Sequence, residues 1–91
     1  MSGVTVTTEA LEQAAAALGT YIEEVSSNIQ KMKSAAQDCS DNMASDVYSR
    51  SAIEKLEACI AGLSKTVMEA GSIRQKILKK KSEIEFSMNG F

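Results

Sequence analysis

Apolar residues in the first half of the chain recur at alternating steps of four and three positions, beginning at Leu11 and ending at Ala36. This spacing places them on one side of an α-helix and is typical of the contact stripe of a coiled coil. The chain contains no proline, which would interrupt such a helix. The series therefore predicts one long amphipathic helix. Its stripe consists of Leu11, Ala15, Leu18, Ile22, Val25, Ile29, Met32 and Ala36.

The first helix is predicted from about residue 8 to about residue 37. Thr7 and Thr8 can cap its start, and acidic residues follow in the first turn, where they favour the positive end of the helix dipole. Asp, Ser and Asn then accumulate between residues 38 and 51. Because these residues compete for backbone hydrogen bonds and favour turns, we expect the bend of a hairpin there.

A second apolar series with the same spacing predicts a second helix from about residue 51 to about residue 84. Ser51 and Glu54 have the spacing of a capping box at its entrance, although the helix can equally begin nearer Ser45. The series consists of Ile53, Leu56, Ile60, Leu63, Val67 and Ala70.

The apolar pattern changes near Gly71. The next apolar residues, Ile73 and Ile77, continue on a slightly rotated stripe, which predicts a shift in heptad phase. Residues 82–91 contain several large apolar side chains and are predicted to form an apolar C-terminal tail. Such a tail is either a frayed helix end or a segment that docks onto another surface.

Together these patterns predict an all-α protein with a single domain spanning residues 1–91, folded as an antiparallel two-helix hairpin. Helices this long would extend about 45 to 50 Å, and a pair of them has no globular core. The exposed part of the stripe is therefore expected to complete a four-helix bundle, by dimerisation or with a different helical partner. The residues predicted to bind the partner are Leu11, Leu18, Ile22, Val25, Ile29, Ile53, Leu56, Ile60, Leu63 and Val67.

Composition argues against several functions. The chain has no histidine, the commonest general base and metal ligand, so we expect no enzyme, cofactor, metal or small-molecule substrate. A formal net charge of -2 disfavours nucleic acid as a partner. No stretch approaches the roughly 20 apolar residues of a membrane helix, and the N-terminus does not resemble a leader. We therefore expect that the chain does not insert into a membrane. We also expect that it is made in the cytoplasm without a cleavable signal peptide.

Cys39 and Cys59 lack the spacing of redox or zinc motifs, so their simplest interpretation is two small buried apolar residues. A bend centred near residue 49 would bring them face to face across the hairpin, where a disulfide is feasible. A bend centred earlier would separate them.

The chain's length, its two amphipathic helices and its short polar bend resemble the WxG (ESAT-like) superfamily of type VII secretion. Where that family carries Trp-x-Gly, this chain has Met43, Ala44 and Ser45, followed by Tyr48 where an aromatic residue often lies. The family's C-terminal export signal is an aromatic residue followed by an acidic one, and here only the aromatic half is present, as Phe86. These departures look most like the divergent small helical proteins that accompany LXG toxins of Gram-positive bacteria.

The resemblance implies a secretion adaptor or targeting chaperone, which binds the helical N-terminal domain of a toxin and helps to present it for export. Such a chain either stays in the cytoplasm or is exported with its partner. Met43, Ser45, Tyr48 and Phe86 become candidates for recognition by the secretion machinery, with plain packing at a helix end as the alternative for Met43 and Tyr48. The alternative function is a structural hairpin subunit of a filament or secretion apparatus, which requires an open-ended interface.

Overall fold

Two long helices account for the fold in the computed structural model, which describes residues 7–42 and 47–89. Helix α1 spans Thr8–Asn42 and helix α2 spans Val47–Asn89. They pack against each other as an antiparallel hairpin that measures 68 × 23 × 14 Å. The 14 Å dimension is close to the diameter of one helix with its side chains, about 10–12 Å. The predicted all-α hairpin is confirmed, and the molecule is a single layer of two helices.

Helix α1 begins with a side-chain cap. The Oγ1 atom of Thr7 accepts a hydrogen bond from the backbone N–H of Ala10 at 3.0 Å. The Thr7 carbonyl accepts a second one from the N–H of Leu11 at 3.1 Å. These bonds satisfy backbone donors that have no partner inside the first turn of a helix, so Thr7 fixes where α1 starts.

The predicted bend was too wide. Residues 38–42 belong to α1 and residues 47–51 belong to α2, whose start lies nearer the alternative considered at Ser45. The polar side chains bond within the helix instead of ending it: Gln37 Nε2 donates to Asp41 Oδ1 at 2.9 Å. In the same turn Asn42 Nδ2 donates to the carbonyl of Asp38, also at 2.9 Å. At the other end, α2 continues to Asn89, so the predicted tail is helical up to that residue.

The two helices meet along a row of residues that we call the seam, in which the steps of four and three are kept on both sides. Five seam residues are buried, with 2% to 9% of their surface exposed. Around Ile29, Ala36 and Ile60 pack the half-buried side chains of Val25, Met32, Leu56, Leu63 and Val67. The buried residues are Ala15, Ile29, Ala36, Ile60 and Ala70.

The predicted phase shift after Gly71 is wrong. The seam continues from Ala70 with unchanged spacing through Arg74, Ile77, Lys81 and Ile84, all of which are half-buried. The apolar spacing alone does not identify Arg74 and Lys81 as seam residues, because both are charged. Their aliphatic stems can nevertheless pack in a seam while their charged ends reach water.

The register of the hairpin separates the two cysteines. Ala15 lies beside Arg74, and Ile29 belongs to the same buried cluster as Ile60. Cys39 is therefore level with a residue of α2 that lies about nine positions before Cys59. The two cysteines are thus about 13 Å apart along the helix axis. Both thiols are free, Cys39 is half-buried and Cys59 is exposed. The expectation of a buried side chain was wrong for Cys59, and the condition for a disulfide is not met.

Candidate helix-binding surface

The residues predicted to bind a partner all lie on the seam. Ile29 and Ile60 are buried, and the other eight are half-buried. Six of them belong to the buried cluster between α1 and α2, so their first role in this structure is to hold the two helices together. These six are Val25, Ile29, Leu56, Ile60, Leu63 and Val67. Only part of their surface remains open at the edges of the seam, so a partner must approach along its flanks.

The residues predicted to be recognised by a secretion machinery do not form one site. Tyr48, at the start of α2, is 89% exposed, and Phe86, near the end of the same helix, is 77% exposed. They are 38 positions apart, which is about 57 Å along a helix. Met43 and Ser45 lie outside the described residues. Within the described part, the two aromatic candidates therefore mark opposite ends of the hairpin.

One flank of the seam carries small residues on both helices. Each directly follows a seam residue at equivalent heptad positions, and equivalent flanking positions lie on the same side of an antiparallel helix pair. All four are half-buried, although their side chains are short or missing. We call this side the small-residue flank. It is defined by Gly19, Ser26, Ser64 and Gly71. Beyond Gly71, the same side of α2 carries the half-buried Leu78.

An open cavity of about 400 Å³ lies on the same flank, towards the bend. Lys33 and Glu57 line it and occupy the same heptad position as Gly19 and Gly71, two heptads nearer the bend on their helices. The lining also includes the apolar seam residues and several neighbours with short or polar side chains. The complete lining is Lys33, Ala36, Gln37, Ser40, Ile53, Glu57, Ile60 and Ala61.

Arg74 lies at the seam towards the open end of the hairpin. Its Nε–H donates a hydrogen bond to the backbone carbonyl of Ala15 at 3.2 Å. This carbonyl lies one helical turn before Gly19, and a Cβ atom added to Gly19 would lie 3.4 Å from the Arg74 Nε. The Arg74 side chain thus passes directly beside Gly19, at a distance that would be ordinary van der Waals contact for an added methyl group. The hydrophobic pattern did not predict that Arg74 lies in the seam. The sequence indicates this only by its spacing, four positions after Ala70 and three before Ile77.

The opposite flank is more apolar at its surface. Tyr21 is 38% exposed and Ile73 is 50% exposed. Each directly precedes a seam residue, as do the exposed residues Ala14, Ala52 and Cys59. This flank therefore presents a second strip of apolar surface along the hairpin.

Neither helix has a stretch apolar and long enough to cross a membrane, within residues 7–42 and 47–89. In the same part of the chain, no three His, Cys, Asp or Glu side chains are grouped as metal ligands would be. The protein thus belongs to the class of helical hairpins, with two helices in a single layer and both flanks open. Comparisons with protein-family models, with curated proteins and with solved structures found no match.

Proposed function

We propose that the chain is a non-enzymatic binding protein whose hairpin packs one of its two open flanks against the helices of a partner protein. The observation that carries the proposal is the balance of apolar side chains. Over the described residues, five apolar residues are buried while seven large ones are at least 38% exposed. The exposed ones are Tyr21, Val47, Tyr48, Met68, Ile73, Phe86 and Met88.

Physical chemistry favours a partner over an isolated hairpin. Long helices draw most of their stability from packing of an apolar face, because helix propensity alone is marginal in water. A single layer packs each helix on one side only, and no large apolar side chain in the described parts is fully buried. Two further helices would cover both helices from another side and complete a four-helix bundle.

In its specific form, the proposal is a small helical protein associated with type VII secretion. It would bind the helical N-terminal region of an LXG-type toxin in the cytoplasm and accompany it to the secretion machinery. This form is supported by the resemblance described above and by the high exposure of Tyr48 and Phe86. Side chains so exposed can be contacted by a second protein while one flank of the hairpin is occupied.

The experiment is co-expression with helical domains encoded in neighbouring genes, followed by size-exclusion chromatography with light scattering. A discrete complex of fixed stoichiometry supports the binding function. The absence of a complex with every such domain, together with a compact and very stable monomer, contradicts it. Open-ended growth of the chain alone would instead favour a structural subunit of a filament.

The secretion role is tested separately from binding. Tyr48→Ala and Phe86→Ala remove exposed side chains that make no part of the buried cluster. Both variants should still form the complex, since the seam and flanks are unchanged, but they should reduce export of the toxin from cells. Met68→Ala is the matched control, because it also removes a highly exposed apolar side chain, 76% exposed, which lies in the middle of α2 and on neither flank. Unchanged export with both aromatic variants would contradict the secretion role.

A further inference from the structure

We propose that Arg74 binds a carboxylate of the partner, carried by a helix that lies along the small-residue flank. The inference rests on the proposed helix-binding function and adds the chemistry of the partner. It commits to one occupant: an amphipathic helix with a Glu or Asp at the position that passes Arg74.

The charged group of Arg74 has no carboxylate partner among the described residues. Its Nε–H is bonded to the carbonyl of Ala15, and within residues 7–42 and 47–89 its other four N–H groups have no hydrogen bond or ion pair. The other cation in the seam is different. Lys81 Nζ lies 3.4 Å from a carboxylate oxygen of Glu85 on its own helix. Arg74 is thus a half-buried cation without a carboxylate, at a position that a second helix would cover further.

Glycines lie near Arg74 on both helices. Gly19 lies next to Arg74 on α1, and Gly71 lies one turn before it on α2. A Cβ atom added to Gly71 would meet nothing within 4 Å, so packing inside the hairpin does not require a glycine there. Glycine in a helix interior costs about 1 kcal/mol relative to Ala, and close approach by another helix would offset that cost.

Arginine presents its N–H groups in a rigid planar fork that matches the two oxygens of a carboxylate. The bond from Nε to Ala15 holds the stem against α1 and leaves the terminal nitrogens for an external acceptor. Pairing with a carboxylate would satisfy the charge as the partner helix removes water from it, whereas an apolar residue there would leave it unpaired.

The same flank sets the length of the partner helix. The cavity is lined by Lys33, Ala36 and Ser40, about 20 positions along α1 from the level of Arg74. This corresponds to about 30 Å, so a helix of at least about 20 residues is needed to reach both. A large apolar side chain at its far end would then enter the cavity.

The test uses two synthetic amphipathic helices of about 28 residues, four heptads, with Leu at the contact positions. One carries Glu and the other Gln at a single contact position in a terminal heptad. Binding of each to the full chain is measured by calorimetry, below the concentration at which the peptides self-associate. The Glu peptide is expected to bind at least about tenfold more tightly, or about 1.4 kcal/mol.

Two variants of the protein assign this preference to Arg74. Arg74→Gln should remove the difference between the peptides. Lys81→Gln, which removes a seam cation that already has a carboxylate partner, should keep it. Circular dichroism shows whether each variant remains helical, and the comparison of the two peptides on the unmodified chain needs no variant.

Equal affinity of the two peptides, binding of neither, or a preference that survives Arg74→Gln would overturn the role of Arg74. The helix-binding function is judged separately, by complex formation with the neighbouring helical domains. A complex whose affinity does not change with Arg74→Gln would therefore leave that function standing while removing this inference.

Discussion

The Nε–H of Arg74 donates a hydrogen bond to the backbone carbonyl of Ala15 at 3.2 Å, across 59 positions of the sequence. The carbonyl also serves the backbone of α1, which is possible because a carbonyl oxygen has two lone pairs. This contact joins the two helices near the open end of the hairpin, where the connecting bend has least influence. It therefore helps to fix the register of α2 against α1.

Arg74→Ala should lower the free energy of unfolding by about 1 kcal/mol, because it removes this bond and the packing of the side-chain stem. Urea unfolding followed by circular dichroism measures the change. Arg50→Ala is the matched control, since Arg50 is an exposed residue of the same helix. Equal stability of the two variants would show that the contact does not hold the hairpin.

Ile60→Ala should be far more damaging than a surface change, because Ile60 is 9% exposed in the only buried cluster within the described residues. Removal of a buried Ile side chain costs about 2–4 kcal/mol. In a single layer of helices this loss should unfold much of the population, seen as lost helical circular dichroism. Tyr48→Ala, at a site 89% exposed, should leave the signal unchanged. A folded Ile60→Ala protein as stable as the Tyr48→Ala control would contradict the assigned core.

Gly71→Ala should have opposite effects on stability and on binding. In the isolated chain it should raise the free energy of unfolding by about 0.5–1 kcal/mol, because Ala favours the helix and the added Cβ meets open space. On the small-residue flank, the same methyl group should keep the partner helix further away and weaken the complex. Gly62→Ala is the control, since Gly62 also has open space around it but lies off this flank. A Gly71→Ala protein that binds as tightly as the Gly62→Ala protein would argue against close approach at this position.

Mild oxidation should link chains through Cys59 and should not join Cys39 to Cys59 within one chain. Cys59 is exposed, whereas the register separates the two thiols by about 13 Å along the helices. Mass spectrometry of the unreduced chain distinguishes the products. An intrachain disulfide formed without loss of helical structure would mean that the helices pack in a different register.

The sequence predicted the features that depend on local spacing. The steps from Leu11 to Ala36 identify α1, and the buried Ala15 and Ile29 lie where this series puts them. The predictions for the bend and for the phase of α2 were wrong because composition does not show which groups a polar or charged side chain contacts. The Asp41 side chain accepts and the Asn42 side chain donates a hydrogen bond inside α1, and Arg74 occupies a seam position that apolar spacing alone does not identify.

The candidate binding surface was less predictable than the fold. A stripe of apolar residues does not reveal which part will be covered by the second helix of the same chain. Ile29 and Ile60 were expected to bind a partner, but each is buried against the other helix. The flank marked by Gly19 and Gly71 emerges only when both helices are placed together, because each helix supplies half of it.

Helix binding on the small-residue flank is tested by light scattering of the chain mixed with the helical domain that it binds, for two matched arginine variants. Ser64→Arg places a long charged side chain on the small-residue flank, and Thr66→Arg places the same side chain on the opposite flank. We expect a discrete complex for the unmodified chain and for Thr66→Arg, and separate components for Ser64→Arg. Full complex formation by Ser64→Arg, or loss of the complex with Thr66→Arg alone, would contradict helix binding on this flank.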